Sequence, residues 1–116
     1  MLSDKRQYPR IEIAWPVTLM TPYGPVGGTT RNLSLGGACI RLAEMPELEE
    51  VFRLVIRPAE QIMLPATAEL VWSETLIGAT SVFQGMGLHF KYIAESNIEF
   101  MSKAISRAIL KGSNRP

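Results

Sequence analysis

The chain has 116 residues, 47% hydrophobic, 20% charged and 8% aromatic, which fits one globular domain and excludes a disordered or low-complexity segment. Near this length folding removes roughly two-thirds of the unfolded chain's surface from water, so a core needs no disulfide staple. Twelve Lys and Arg against eleven Asp and Glu leave a net charge of +1, which argues against a broad basic face for DNA or RNA and makes any anion site local.

From Ile11 to Leu19 the apolar residues Ile11, Ile13, Trp15, Val17 and Leu19 alternate with other positions, predicting a strand buried on one face, with Pro16 marking an edge or bend. Residues Thr21 to Gly28 are dense in Pro and Gly and predict a turn that returns as a second strand through Thr29, Thr30 and Arg31. Gly36-Gly37 interrupts the next segment, after which Ala38, Ile40 and Leu42 share the face of a short strand. Phe52, Leu54 and Ile56 define a fourth strand, Ala66, Ala68, Leu70 and Trp72 a fifth, and Met86, Leu88 and Phe90 the last. A final helix is predicted by Ser96 and Glu99 at capping-box spacing, a stripe of Ile98, Met101, Ile105 and Ile109, and Gly112 as its stop. Roughly six short strands and one terminal helix predict a mainly β domain, a small barrel or sandwich.

Two short constellations carry ligand chemistry. Before the first strand, Arg6 and Arg10 stand four apart in Lys5-Arg6-Gln7-Tyr8-Pro9-Arg10, and Pro9 favours an extended arm there. A guanidinium is a planar fork that fits phosphate oxygens or the O6/N7 edge of guanine, and its flat face stacks on a base. The second is Asn32-x-Ser34-x-x-Gly37, beginning 22 positions after Arg10. The Asn amide oxygen accepts from a base N–H, the Ser hydroxyl donates to a phosphate or bonds its own backbone, and Gly admits a ligand to main-chain donors. The same residues also build ordinary turns.

Together, the Arg-x-x-x-Arg arm, the hairpin and the Asn-x-Ser-x-x-Gly turn closely resemble the PilZ domain family of bacteria. Ala38-Cys39-Ile40, Gly85-Met86-Gly87-Leu88-His89-Phe90 and the terminal helix extend the resemblance from about Arg6 to Lys111. It implies a six-stranded antiparallel β-barrel with a C-terminal α-helix over residues 11–112, preceded by an N-terminal arm of residues 1–10. It also implies a receptor for the second messenger cyclic di-GMP, often bound as an intercalated dimer. By this similarity Arg6 and Arg10 bind phosphate and the guanine edge, Asn32 takes guanine N–H groups, Ser34 contacts guanine or phosphate, and Gly37 keeps the turn open. Lys5, Arg31 and Gly36 are accessory candidates. The family often has Asp where this chain has Asn32, which is neutral and offers one amide oxygen. The implied mechanism is an arm drawn across the barrel by the ligand, signalling to an unidentified protein in motility, exopolysaccharide or virulence control.

The alternative is a PilZ-like protein-interaction module that binds no nucleotide, for which Met20, Tyr23, Leu76, Ile77, Val82 and Phe83 are candidate surface residues, although filling the barrel ends is the role expected of them. An enzyme is not expected: nothing orients the imidazole of the lone His89 toward a dyad with Cys39, a small buried strand residue, and neither phosphate-loop nor metal-ligand spacing occurs. A binder of single-stranded nucleic acid would expose its aromatics, whereas Trp15 and Trp72 fall on the apolar faces of their predicted strands. The single cysteine suits a cytosolic location, Met1 to Arg6 do not read as a secretory signal, and the apolar runs are too short for a spanning helix. A monomer or homodimer without cofactor is the expectation.

Overall fold

The computed structural model describes residues 9–113. These form β1 (Ile11–Glu12), β2 (Pro16–Thr21), β3 (Gly24–Leu33), β4 (Gly37–Leu42), β5 (Val51–Ala59), β6 (Ile62–Ile77), β7 (Val82–Ile93) and α1 (Glu95–Ser113). Every strand pair is antiparallel, in the order β1-β3-β2-β5-β6-β7-β4, and β4 pairs back onto β3. Strands β2 to β7 therefore close the expected six-stranded barrel, and closure removes the free edges of an open sheet. Strand β1 adds to the side of β3 that β2 also occupies.

The core follows from alternation. Val17 and Leu19, Ala38, Ile40 and Leu42, Phe52, Leu54 and Ile56, Leu64, Ala66 and Ala68, and Met86, Leu88 and Phe90 all point into the barrel. Burying each larger side chain contributes about 1.5–3 kcal/mol relative to exposure. Helix α1 packs on this core through Met101 and Ile105, with Phe100 and Ala108 at the margin. The Phe100 ring meets Trp15 with centroids 6.4 Å apart and planes tilted by 47°. No helix among the described residues is long and apolar enough to cross a membrane.

Four expectations are corrected. The predicted first strand is split, because Ile13, Ala14 and Trp15 leave the ladder between β1 and β2. The turn predicted over Thr21 to Gly28 shrinks to Pro22 and Tyr23: Gly24, at φ 116°, completes it, and Pro25 to Gly28 already pair with Met20 to Val17. Helix α1 starts at Glu95, where the Ala94 carbonyl accepts from the N–H groups of Asn97 and Ile98. Ser96 thus lies inside the first turn, off the N-cap that a capping box needs. The helix also continues through Gly112 to Ser113, and of the stripe only Met101 and Ile105 are buried.

The split in the first strand has a chemical cause. Pairing Glu12 with Asn32 and Pro16 with Thr29 leaves Ile13, Ala14 and Trp15 opposite Thr30 and Arg31, three residues against two. The Thr30 side chain enters this gap and is 1% exposed. Its hydroxyl donates to the Ile13 carbonyl at 2.6 Å and accepts from the Trp15 N–H at 2.8 Å. The main chain completes the clasp, with the Thr30 N–H donating to Trp15 O at 2.9 Å and the Ile13 N–H to Arg31 O at 3.3 Å. Thr30→Val keeps the shape and strips both side-chain hydrogen bonds, so unfolding free energy drops by about 1–3 kcal/mol. Urea titration of the variant reads this as a lower midpoint at unchanged slope, and Thr30→Ser recovers most of the loss.

Candidate functional site

Strand β3 carries a second irregularity at the same level. On its β4 side Thr30 pairs with Ile40 and Asn32 with Cys39, leaving Arg31 unopposed as a bulge. An extra residue reverses the alternation beyond it. Thr30 and Leu33 are accordingly both buried, while Arg31 and Asn32, consecutive in the chain, are both accessible on the outer side. In a regular strand these two would lie on opposite faces.

Asn32 heads a row that crosses the outside of the barrel. Its ladder partner on β4 is Cys39, whose partner on β7 is Gly87, whose partner on β6 is Trp72. Cys39 alternates with the inward Ala38 and Ile40, and Gly87 with the inward Met86 and Leu88. Both are small and buried, as expected for Cys39, which is 6% exposed, and they separate Asn32 from Trp72 by about 14 Å along the sheet. The Trp72 indole lies against Gly87 at the place a Cβ would occupy. Any larger residue at position 87 would displace the ring.

The neighbouring rows add charge. On one side Arg41 and Glu74 both pair with Gly85, and a Cβ on Gly85 would stand 3.7 Å from an Arg31 guanidinium nitrogen and 3.5 Å from Glu74 Cγ. On the other side Gly37 pairs with His89 and His89 with Glu69. His89 Nδ1 lies 3.3 Å from Glu69 Oε1, and Lys91 Nζ lies 3.8 Å from the same oxygen. A carboxylate only accepts, so it orients the ring with Nδ1 protonated. The expectation that nothing orients the imidazole is corrected, since Glu69 does so from the neighbouring strand, while His89 stays on the exposed outer face.

The Asn32 to Gly37 turn is self-contained. Ser34 Oγ accepts from the N–H groups of Gly36 at 3.1 Å and Gly37 at 3.2 Å, and the Ser34 N–H donates to Gly37 O at 2.9 Å. Of the two uses open to the hydroxyl, the structure shows the bond to its own backbone. Gly36 O accepts from the Phe90 N–H at 2.9 Å, which fastens the turn to β7. A Cβ on Gly37 would collide with the Leu88 carbonyl, so glycine there permits the close approach of β4 to β7.

The structure brings Arg31, Asn32, Ser34, Gly36 and Gly37 to one end and outer flank of the barrel. Exposed Arg10 joins them, since it immediately precedes Ile11, which pairs with Leu33. Lys5 and Arg6, with most of the arm 1–10, lie outside the described residues. Trp72 was placed on an apolar strand face by its spacing, and this is corrected: it is 38% exposed on the outer face. The cause is a bulge at Val71, since Leu70 pairs with Leu88 but Trp72 with Gly87. A readable signal was the Gly-x-Gly of the last strand, which leaves a bare outer face for a large ring to cover. Of the loop hydrophobics, Met20, Tyr23, Ile77 and Val82 are exposed, and Leu76 and Phe83 are half-buried. Among the described residues no group of three or more His, Cys, Asp or Glu is placed to hold a metal ion.

A family model for the PilZ domain matches residues 4–107. No curated protein matches the chain. Among solved structures, the PilZ domain of YcgR from Escherichia coli with c-di-GMP aligns over 94% of this chain and 95% of its own, with TM-score 0.73 and 16% identity. The K. pneumonia MrkH–c-di-GMP complex aligns with TM-score 0.80 and 14% identity over 97% of this chain and 56% of its own. The Bacillus subtilis inhibitor of motility MotI/DgrA aligns with TM-score 0.72 and 20% identity over 97% and 53%. The chain thus spans about half the length of the last two. At these identities the likeness is one of fold, but the family model covers the arm, the closed barrel and most of α1 together, and the chain belongs to the PilZ domain family.

Proposed function

We propose that the chain is a cyclic di-GMP receptor that binds its ligand on the outer face of the barrel, between the arm and the row from Asn32 to Trp72. The observation that carries this reading is that row: Asn32, a polar acceptor, at one end and the accessible Trp72 indole at the other, spaced on one outer side by the small, buried Cys39 and Gly87. A cyclic dinucleotide has two purine planes, two guanine edges and two phosphates. Arg6 and Arg10 supply forks for phosphate and the O6/N7 edge. The Asn32 amide oxygen accepts from guanine N–H groups, and Trp72 stacks on the purine, a contact of about 1–3 kcal/mol. Ser34, Gly36 and Gly37 act chiefly by holding Asn32 in place, and Lys5 adds long-range attraction. The receptor works without chemistry on its ligand. Its output is a change at the arm and barrel read by a protein partner in motility, exopolysaccharide or virulence control, from a cytoplasmic location.

The structural neighbours named with c-di-GMP support this reading. A second reading, the protein-interaction module without nucleotide, is favoured by Ile77 and Val82, which pair at the end of the β6–β7 hairpin at 83% and 59% exposure.

Calorimetric titration with cyclic di-GMP, with GMP as control, separates the two: selective binding is expected, and heat-silent mixing at high ligand concentration leaves the interaction module. Arg6→Ala and Arg10→Ala each abolish binding; near-normal affinity in the double variant would overturn the site.

Trp72→Ala weakens affinity by about ten- to a hundredfold, as loss of one stacked base implies, and Trp72→Phe restores part of it. Ser34→Ala weakens binding and lowers the melting temperature together, because the turn loses the acceptor for two N–H groups.

A further inference from the structure

Strand β4 stops before its two neighbours do. Its last ladder pairs are Arg41 with Thr29 on β3 and Leu42 with Gln84 on β7, whereas β3 extends back to Gly24 and β7 back to Val82. Past Leu42 the chain bends away at Ala43 and Glu44. An open groove of about 370 Å³ continues the track of β4 there, with Gly27 and Gly28 on one flank and Ser81 and Phe83 on the other. Successive residues of an antiparallel strand turn their N–H and C=O to opposite sides. The Thr30 N–H points to Trp15 O, on the β2 side, and the β2–β3 register is regular, so Gly27, three residues away, turns its main-chain groups into the groove. On the other flank the Gly78 N–H donates to Ser81 O, across the β6–β7 hairpin, so Val82 turns its groups away from β6 and into the groove as well. Among the described residues neither has a ladder partner on that side. Gly27 is exposed, with nothing within 4 Å of where a Cβ would stand, so no side chain covers its edge.

We infer that this slot takes an extended segment of a protein partner as an added strand, antiparallel to β3 and β7 in the track that β4 leaves. Two open edges one strand apart offer main-chain bonds on both sides of a guest, and the places for alternate side chains set its sequence. The first guest residue lies between Gly27 and Phe83, on the outer side with Arg41. The Arg41 guanidinium carbon is 4.3 Å from the Phe83 ring centroid, and the fork has no ion-pair partner among the described residues, so an acidic side chain fits there. The second guest residue lies between Val26 and Val82, which is 59% exposed, and is apolar. Pro25, which has no N–H, ends the edge, so the guest pairs over about three residues. The slot serves a partner whether or not the chain binds nucleotide.

The probe is a capped peptide, Glu-Val-Thr-Val, added to the full chain and followed by amide hydrogen exchange in proton–nitrogen correlation spectra. Exchange of the Gly27 and Val82 N–H groups is expected to slow about fivefold in about 5 mM peptide, the factor that a Kd of about 1 mM gives. The same peptide N-methylated at its first two residues keeps the side chains, loses the donors and gives no protection. Lys-Val-Thr-Val protects the Arg41→Glu variant and not the unmodified chain, and Glu-Val-Thr-Val does the reverse. Gly27→Pro removes one groove donor without a β2 bond and lowers the protection of Val82. Equal protection by the N-methylated peptide, equal binding of the Glu and Lys peptides to the unmodified chain, or unchanged exchange at both amides overturns the slot, and none of these needs an altered protein. Protection of both amides that grows with protein concentration alone assigns the slot to a second copy of the chain and overturns the partner.

Discussion

The Thr30 hydroxyl is the point on which the irregular course of β3 depends. Buried between β1 and β2, it bonds Ile13 O and Trp15 N and so stabilises a length mismatch that would otherwise leave main-chain polar groups unpaired inside the protein. The mismatch on one side of β3 lies at the level of the Arg31 bulge on the other. A strand irregular on both flanks changes the face that its residues present without breaking the barrel. Arg31 and Asn32 then emerge together while Leu33, the next residue, returns to the core.

Beyond that point the barrel separates its two sides by size. Inside, β4 and β7 present Ala38, Ile40, Leu42, Met86, Leu88 and Phe90. On the outer side the same strands carry the small residues Cys39, Gly85 and Gly87, all buried, with the Trp72 indole over Gly87 and the Leu76 side chain against Gly85. Bare backbone on an outer face forgoes cross-strand side-chain packing, which normally stabilises a sheet by about 0.2–1 kcal/mol per pair. The Trp72 ring recovers part of this by covering Gly87, and it stays 38% exposed. The glycine at position 87 thus seats the aromatic group.

The barrel was largely legible in the sequence because its inward residues alternate without error wherever the ladder is regular, as in Phe52, Leu54 and Ile56 or Met86, Leu88 and Phe90. Legibility failed where one residue was added. Trp72 continues the spacing of Ala66, Ala68 and Leu70, yet the bulge at Val71 turns it outward. The Ile11 to Leu19 run alternates faultlessly as a pattern, yet the protein breaks it at Ile13 to Trp15 to admit Thr30. Bulges depend on how two strands share residues, and one strand's pattern does not contain its partner's count. The Asn-x-Ser-x-x-Gly turn was legible as a unit, but the division of labour inside it was not. That Ser34 satisfies Gly36 and Gly37, and that Gly37 is demanded by the Leu88 carbonyl, are facts of packing.

The break between β1 and β2 also ties the face to the helix. Within six consecutive residues the chain carries exposed Arg10, the core residue Ile11, Glu12 opposite Asn32, the Ile13 carbonyl held by Thr30, and Trp15 against Phe100 of α1. This stretch is short, and its polar backbone is fastened at Ile13 and Trp15 by the Thr30 clasp. Packed contacts have discrete arrangements and do not stretch continuously. The Thr30 clasp and the Trp15–Phe100 contact thus lie on one short stretch, and α1 meets that stretch through a tilted ring pair.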